Sequence, residues 1–291
     1  MDKWSFPFFD GHVHFSQAYL DEILDCYAKC GVGGGLNLWN EVGNAYKDYA
    51  GFLRLCKKKG LFARYAQFYW PDWTAFGWQP KQFVSRLCRE MRKYNDMGAV
   101  GLKVWKDLGM MIHHNDGTPA VMDDERLEPV WKTAEDLKWC IAVHQADPAG
   151  YFEEHTRSTL TRKELWQRRD NVISAHPNIQ WILCHSGNDV DTVEDFAAEL
   201  DKFPTLRSDL RRLYLLGGAE KVRPFLEKYA DRLYIGVDLT MPKDRPPDVK
   251  WTYDEVYSPW RDELLSLGLS KEAFEKITWA NGFNHFLKRH Q

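Results

Sequence analysis

Two histidines one residue apart, His12 and His14, close the first apolar run of the chain, Phe8-Phe9-Asp10-Gly11-His12-Val13-His14. Side chains alternate along a strand, so in that setting both imidazoles face one side, ~7 Å apart, and can share one metal ion. Later apolar runs end in similar groups: Val143-His144-Gln145-Ala146-Asp147, Cys184-His185-Ser186-Gly187 and Gly236-Val237-Asp238. A lone histidine at a strand end is as often a hydrogen-bonded structural residue as a ligand. Five candidates at the same place on four runs (His12, His14, His144, His185 and Asp238) point instead to a bound divalent ion. Nitrogen and carboxylate donors suit Zn²⁺ first, with Mn²⁺ or Fe²⁺ as alternatives. The other histidines lack that placement. His113, His114 and His155 fall in loops, His176 precedes Pro177 in a turn, and His285 and His290 lie near the C-terminus; all read as surface or structural residues.

Donors on four separate strands meet only if the fold gathers the strand ends. Short apolar runs alternate with longer amphipathic stretches along the whole chain, and no low-complexity linker interrupts them. The candidate strands are residues 7–15, 34–39, 62–69, 100–105, 139–144, 180–185, 205–210 and 232–239, the seventh being short and polar. Between them apolar residues recur at three- and four-residue steps, as in Leu20, Ile23, Leu24 and Tyr27, or Phe83, Leu87 and Met91, the mark of an amphipathic helix. This alternation implies parallel strands joined by right-handed crossovers. Eight units in 291 residues predict an α/β fold of the (β/α)8 TIM-barrel type, one domain over residues 1–291, ahead of an open doubly wound sheet. In such a barrel the active site lies at the C-terminal strand ends, where the candidate ligands stand. Residues 105–122, with Gly109, Gly117 and Pro119, read as a long loop after strand four.

Composition narrows the partners. With 39 basic and 42 acidic residues, net -3, the chain has no run of like charge suited to a nucleic-acid groove or a membrane-surface helix. A small-molecule substrate is expected. The six cysteines form no Cys-x-x-Cys pair and read as free thiols in a reducing compartment. No stretch approaches the roughly 18 apolar residues of a membrane span and the N-terminus has no signal-like apolar segment, so the expected location is cytoplasmic. The 13 Trp, 13 Tyr and 16 Phe are mainly core material, with some left to line a cleft.

Taken in order, the motifs resemble the amidohydrolase superfamily, and within it the amidohydrolase-related branch with the aminocarboxymuconate-semialdehyde and resorcylate decarboxylase relatives. The resemblance runs nearly end to end. It rests on Asp10-Gly11-His12-Val13-His14, Gly101-Leu102-Lys103-Val104-Trp105, the stretch from Asp116-Gly117 to Asp123-Asp124, Val143-His144-Gln145-Ala146-Asp147-Pro148, Ala175-His176-Pro177-Asn178 leading into His185-Ser186-Gly187, Gly236-Val237-Asp238 and Asn281-Gly282-Phe283-Asn284. It implies that His12, His14, His144 and Asp238 hold a single metal, with His185 beside the metal-bound water or substrate. Two alternatives stay open: Asp238 as general base, and His185 as a ligand in a two-metal variant.

In other branches a lysine at the end of strand four, where Lys103 stands, is carbamylated and bridges two metals; in this one a lysine there is common without bridging, and Lys103 is expected to pair with an anionic substrate group, carbamylation being the alternative. Trp39, Asn40 and Trp105 stand at strand ends and would shape the pocket. Arg207, followed by Arg211 and Arg212, belongs either to a solvated loop or, turned inward, to a site that selects a carboxylate-bearing substrate. Val237 stands where the branch commonly has Ser or Thr before the aspartate, which bears on substrate rather than metal. The expected activity is metal-dependent hydrolysis of a C–O or C–N bond in a lactone, ester or amide of a small carboxylic acid. Non-oxidative decarboxylation, with Asp238 or His185 delivering the proton, is the alternative, and a catalytically inert binding barrel is a further one. A homo-oligomer is expected.

Overall fold

The structure is a computed structural model, described here for residues 7–15, 17–38, 48–211, 213, 216–240 and 257–288. Eight parallel strands close on themselves: β1 (Phe8–His14), β2 (Val32–Asn37), β3 (Tyr65–Tyr69), β4 (Ala99–Val104), β5 (Cys140–Val143), β6 (Gln180–Leu183), β7 (Arg207–Leu210) and β8 (Leu233–Ile235). Each pairs with the next, and β1 pairs with both β2 and β8. This is the TIM barrel the alternating pattern predicts. Among the described residues no helix is long and apolar enough to cross a membrane, and all six cysteines are free.

Helices between the strands form the outer layer. Pro80–Asp96 buries Phe83, Leu87 and Met91, its three- and four-residue stripe, each side chain contributing about 1.5–3 kcal/mol on leaving water. Leu20–Lys29 does the same with Leu20, Ile23 and Tyr27. Arg162–Ala175 begins with a capping box between Thr161 and Glu164, which satisfies otherwise orphaned N–H groups. The loop after β4 carries a short turn, Asp107–Met110, and an antiparallel bridge from His113 to Pro119. Inside the barrel, Phe9, Leu36, Phe68, Ala142, Ile182 and Tyr234 form one cluster, joined by Phe286 from the C-terminal segment.

Strand one is irregular where it matters. Phe9 belongs to that interior cluster, yet Val13, four residues on, packs in the outer layer; a regular strand would put both on one face. A bulge resolves the difference. Asp10 pairs with Gly35 and Val13 with Asn37, three steps on one strand against two on the other, so the parity flips. Gly11 sits in the bulge because a Cβ there would lie 2.7 Å from the Ile235 carbonyl oxygen. Asp10, fully buried, accepts the N–H groups of His12 (3.0 Å) and Val237 (3.2 Å) and the Tyr257 hydroxyl (2.8 Å), satisfying donors that the bulge and the break after β8 set free.

Beyond β8 the chain leaves the ladder at Gly236–Asp238 and rejoins β1 as β9 (Leu239–Thr240). Asp238 occupies the left-handed region, φ +54°, with its N–H donated to the His12 carbonyl at 2.9 Å. After β6, residues 185–189 all have positive φ, from +49° to +78°, a left-handed turn that costs about 1–2 kcal/mol for each non-glycine residue. Buried Asn188 pins it by donating to the carbonyls of Val143 (2.7 Å) and Cys184 (3.0 Å). Behind it lies fully buried Arg169, 3.1 Å from Asn188 Oδ1 and paired with Asp170 and Glu199.

Candidate metal centre and pocket

The C-terminal strand ends surround a cavity of about 480 Å³ whose lining includes His12, His14, His144, His185 and Asp238. Its innermost feature is a trio. His12 Nε2 and His14 Nε2 are 3.2 Å apart, and Asp238 Oδ1 lies 3.1 Å from the latter and 3.4 Å from the former. The other ring nitrogens are committed: His14 Nδ1 faces the Leu38 carbonyl at 2.8 Å, and His12 Nδ1 faces Asp209 Oδ2 at 2.8 Å. Both partners only accept, so in its neutral form each ring keeps its proton on Nδ1 and turns an Nε2 lone pair inward. Burial first, with Lys103 assisting against the pull of Asp209 and Asp238, pushes the His12 pKa down to about 4, which keeps that ring neutral at pH 7. Three acceptors therefore converge with no proton required between them, and a cation is what such an arrangement fits.

Asp238 faces two ways. Burial disfavours its anion, but the imidazoles of His12, His14 and His185, where they carry a proton, outweigh that and hold its pKa well below the usual carboxylate range. Its Oδ2 pairs with Arg211 Nη1. His185 stacks on His12 with ring centroids 4.6 Å apart and is almost fully buried. Burial, then the neighbouring His144 and His12, lowers its pKa well below 6.5. Its Nδ1 has no hydrogen-bond partner and its Nε2 stands 3.9 Å from Asp238 Oδ2, so this neutral ring is free to meet a ligand.

His144 does not join the trio in this geometry. Its Nε2 is directed at Asp147 Oδ1 (3.5 Å) and Asp189 Oδ2 (3.7 Å), while the ring lies edge-on to His185 with centroids 4.5 Å apart. Lys103 lines the cavity but donates to Cys184 Sγ at 2.8 Å; burial pushes that thiol up to about 12, so Lys103 meets a neutral sulfur. Trp105 also lines the cavity, edge-to-face with Trp70 at 5.1 Å. Trp39 and Asn40 lie outside the described residues.

Arg207 is placed differently from the sequence expectation. It begins β7, at the end of the barrel remote from the pocket, and donates to the Asp231 carbonyl at 3.0 Å. The inward arginine is Arg211, one residue past that strand, on the cavity wall. Ser186 of the left-handed turn holds it there by bonding both its N–H and its carbonyl.

Asp209, Trp70, Lys106 and Asp189 escape a reading by strand-end motifs. Asp209 is the most consequential, since its second oxygen accepts the His185 N–H at 2.8 Å while the first orients His12. The polarity of Asp209 within the short seventh run was its only signal. His114 and His176, read as structural, are each tied to a carboxylate, Asp124 and Glu128 respectively, at 3.1 Å.

No protein-family model matches the chain, and no curated protein does either. Solved structures do. A 2,6-dihydroxybenzoate decarboxylase from Rhizobium superposes with a TM-score of 0.63 at 15% identity, over 98% of this chain and 100% of the other. A probable 2-pyrone-4,6-dicarboxylic acid hydrolase from Acinetobacter baumannii, with citric acid bound, gives 0.60 at 13%, over 96% and 98%. A dihydroxybenzoic acid decarboxylase from a Polaromonas species, with manganese and 2-nitroresorcinol bound, gives 0.61 at 14%, over 98% of each. The chain thus shares its entire barrel, from first strand to last, with proteins named as decarboxylases and as a hydrolase, and the likeness establishes that fold.

Proposed function

We propose that the chain is a metal-dependent enzyme of the amidohydrolase-related branch, hydrolysing a C–O or C–N bond in a small carboxylic acid such as a lactone, ester or amide. The observation that carries this reading is the convergence of His12 Nε2, His14 Nε2 and Asp238 Oδ1 within 3.1–3.4 Å. A divalent ion held there would lower the pKa of bound water towards ~7 and polarise a substrate oxygen. Zn²⁺ suits the donor set, as do Mn²⁺ and Fe²⁺.

The chain's own groups divide the remaining work. Arg211 presents a guanidinium beside Asp238, where it can fork onto a substrate carboxylate. That places the reacting bond next to the trio. Neutral His185, with its ring nitrogens unengaged, takes the proton that the attacking water gives up and returns it to the leaving oxygen or nitrogen as the bond breaks. Asp238 stays ionised between Arg211 and the imidazoles and orients the nucleophile. Trp70 and Trp105, set edge-to-face, give the substrate an apolar wall and keep bulk water from the reacting atoms.

The resting site offers bases rather than acids, which favours water attack over proton delivery to carbon. Non-oxidative decarboxylation is the second reading, supported by the decarboxylases that share the fold. Incubation with a panel of lactones and hydroxybenzoates, followed by acid release and by CO₂ evolution, separates the two. Carbon dioxide without hydrolysis would overturn the preference for a hydrolase.

A further inference from the structure

We propose that His144, Asp147 and Asp189 form a second divalent-cation site in the same cavity, sharing no ligand with the His12–His14–Asp238 trio. His144 is 8% exposed and its Nε2 makes no hydrogen bond, which leaves a buried polar atom without a partner. That atom is aimed between Asp147 Oδ1 at 3.5 Å and Asp189 Oδ2 at 3.7 Å. Both distances are too long for hydrogen bonds. They are close to what a shared ion needs: with bonds of ~2.1 Å, donors sit ~3.0 Å apart on an octahedron and ~3.4 Å apart on a tetrahedron. The three donor atoms all lie within 4.8 Å of one another, a span that closure of the two carboxylates towards the ring would bring onto one ion.

Each donor is held for the task by a different part of the fold. Asp147 has its other oxygen, Oδ2, on Lys106 Nζ at 2.6 Å, which turns Oδ1 towards His144. Asp189 closes the left-handed turn, and its carbonyl accepts from Arg162 Nη2 at 2.7 Å. The His144 N–H is bonded to the Val104 carbonyl at 2.9 Å, fixing the strand end from which the ring projects. Two carboxylates against one lysine leave an excess of negative charge beside the imidazole, which favours a divalent cation over a water molecule. One nitrogen and two carboxylate oxygens suit Mn²⁺, Fe²⁺ or Zn²⁺. The ring sequence His12, His185, His144, with successive centroids 4.6 and 4.5 Å apart, then sets His185 between the two centres.

The test counts bound metal rather than turnover. Full-length protein stripped with chelator and equilibrated with Mn²⁺ should hold two equivalents by elemental analysis. Asp147→Asn with Asp189→Asn should hold one, and so should His12→Ala with His14→Ala. Asp189→Asn alone, which leaves the Lys106 contact in place, should weaken one of the two equivalents at least tenfold in a Mn²⁺ titration. Circular dichroism confirms that each variant is folded. One equivalent in the parent chain, lost with the histidine pair and kept with the aspartate pair, overturns the second site and leaves the proposed function standing. One equivalent with the opposite pattern supports the second site and overturns the first. No bound Mn²⁺ or Zn²⁺ at all overturns both.

Discussion

Asp209 Oδ2 lies 2.8 Å from His12 Nδ1, so the nitrogen that faces the pocket is chosen by a residue that never reaches it. A carboxylate behind a metal-binding imidazole fixes its tautomer and raises its basicity. Asp209→Asn should therefore weaken metal binding about 10- to 100-fold, read by competition with a chromogenic chelator. Unchanged affinity would mean that His12 needs no such partner.

The trio itself makes a stronger demand. Replacing His12 or His14 by Ala should remove the metal from the trio's site and lower kcat/KM by at least about 10³-fold for the substrate that the panel identifies. Full activity in either variant would place the chemistry elsewhere in the cavity.

Arg211 sits where a carboxylate anchor is wanted, and a guanidinium fork is poorly replaced by an ammonium. Arg211→Gln should raise KM for an acidic substrate about 10- to 100-fold, with Arg211→Lys recovering only part. An equal effect on a neutral ester analogue would assign Arg211 to holding Asp238 rather than to recognising the acid.

Fully buried Arg169 supports the left-handed turn through Asn188 and balances Asp170 and Glu199. Arg169→Met strands Glu199 and leaves Asp170 with Lys202 alone, 2.6 Å away, and should cost about 3–5 kcal/mol, measured by urea unfolding. A loss under about 1 kcal/mol would show that the network contributes no stability.

Asp107, half-buried beside the pocket, has its pKa raised to about 6, by burial first, with Asp147 adding to it against Lys106 and His144. Because its folded pKa exceeds its unfolded one, the folded protein keeps a proton that the unfolded chain has released between pH ~4 and ~6. Stability from this group is complete below that window and is lost as pH rises through it. Asp107→Asn should flatten that slope and stabilise the protein at pH 7 by about 1 kcal/mol, discounted for partial solvent access. An unaltered pH profile would remove Asp107 from the account.

All eight strands could be read from the chain because a parallel barrel buries both faces of each strand and so writes them as apolar runs. The reading failed at the edges for physical reasons. β2 starts at Val32 rather than residue 34 because Gly33, Gly34 and Gly35 carry no apolar side chain to mark it. Arg207 was placed at the pocket although it begins its strand; in a parallel barrel the first residue lies at the far end. The positions of His12, His14 and Asp238 were legible as strand ends, whereas the direction of the His144 ring is set by His185 and Asp189, over forty residues away, as well as by nearby Asp147. Nothing local announces the turn at 185–189 either, since four of its five residues are not glycine and are held by Asn188 and Arg169.

The bulge in β1 gives the barrel a phase. Straightened without loss of a residue, the same strand would hand the lumen Val13 and Phe15 and press both histidines into the surrounding helices. The hydrophobic pattern would still close a barrel, but one with its ligands on the outside. A one-residue offset at Gly11, held in place by the Asp10 carboxylate, is what separates an inert scaffold from a site.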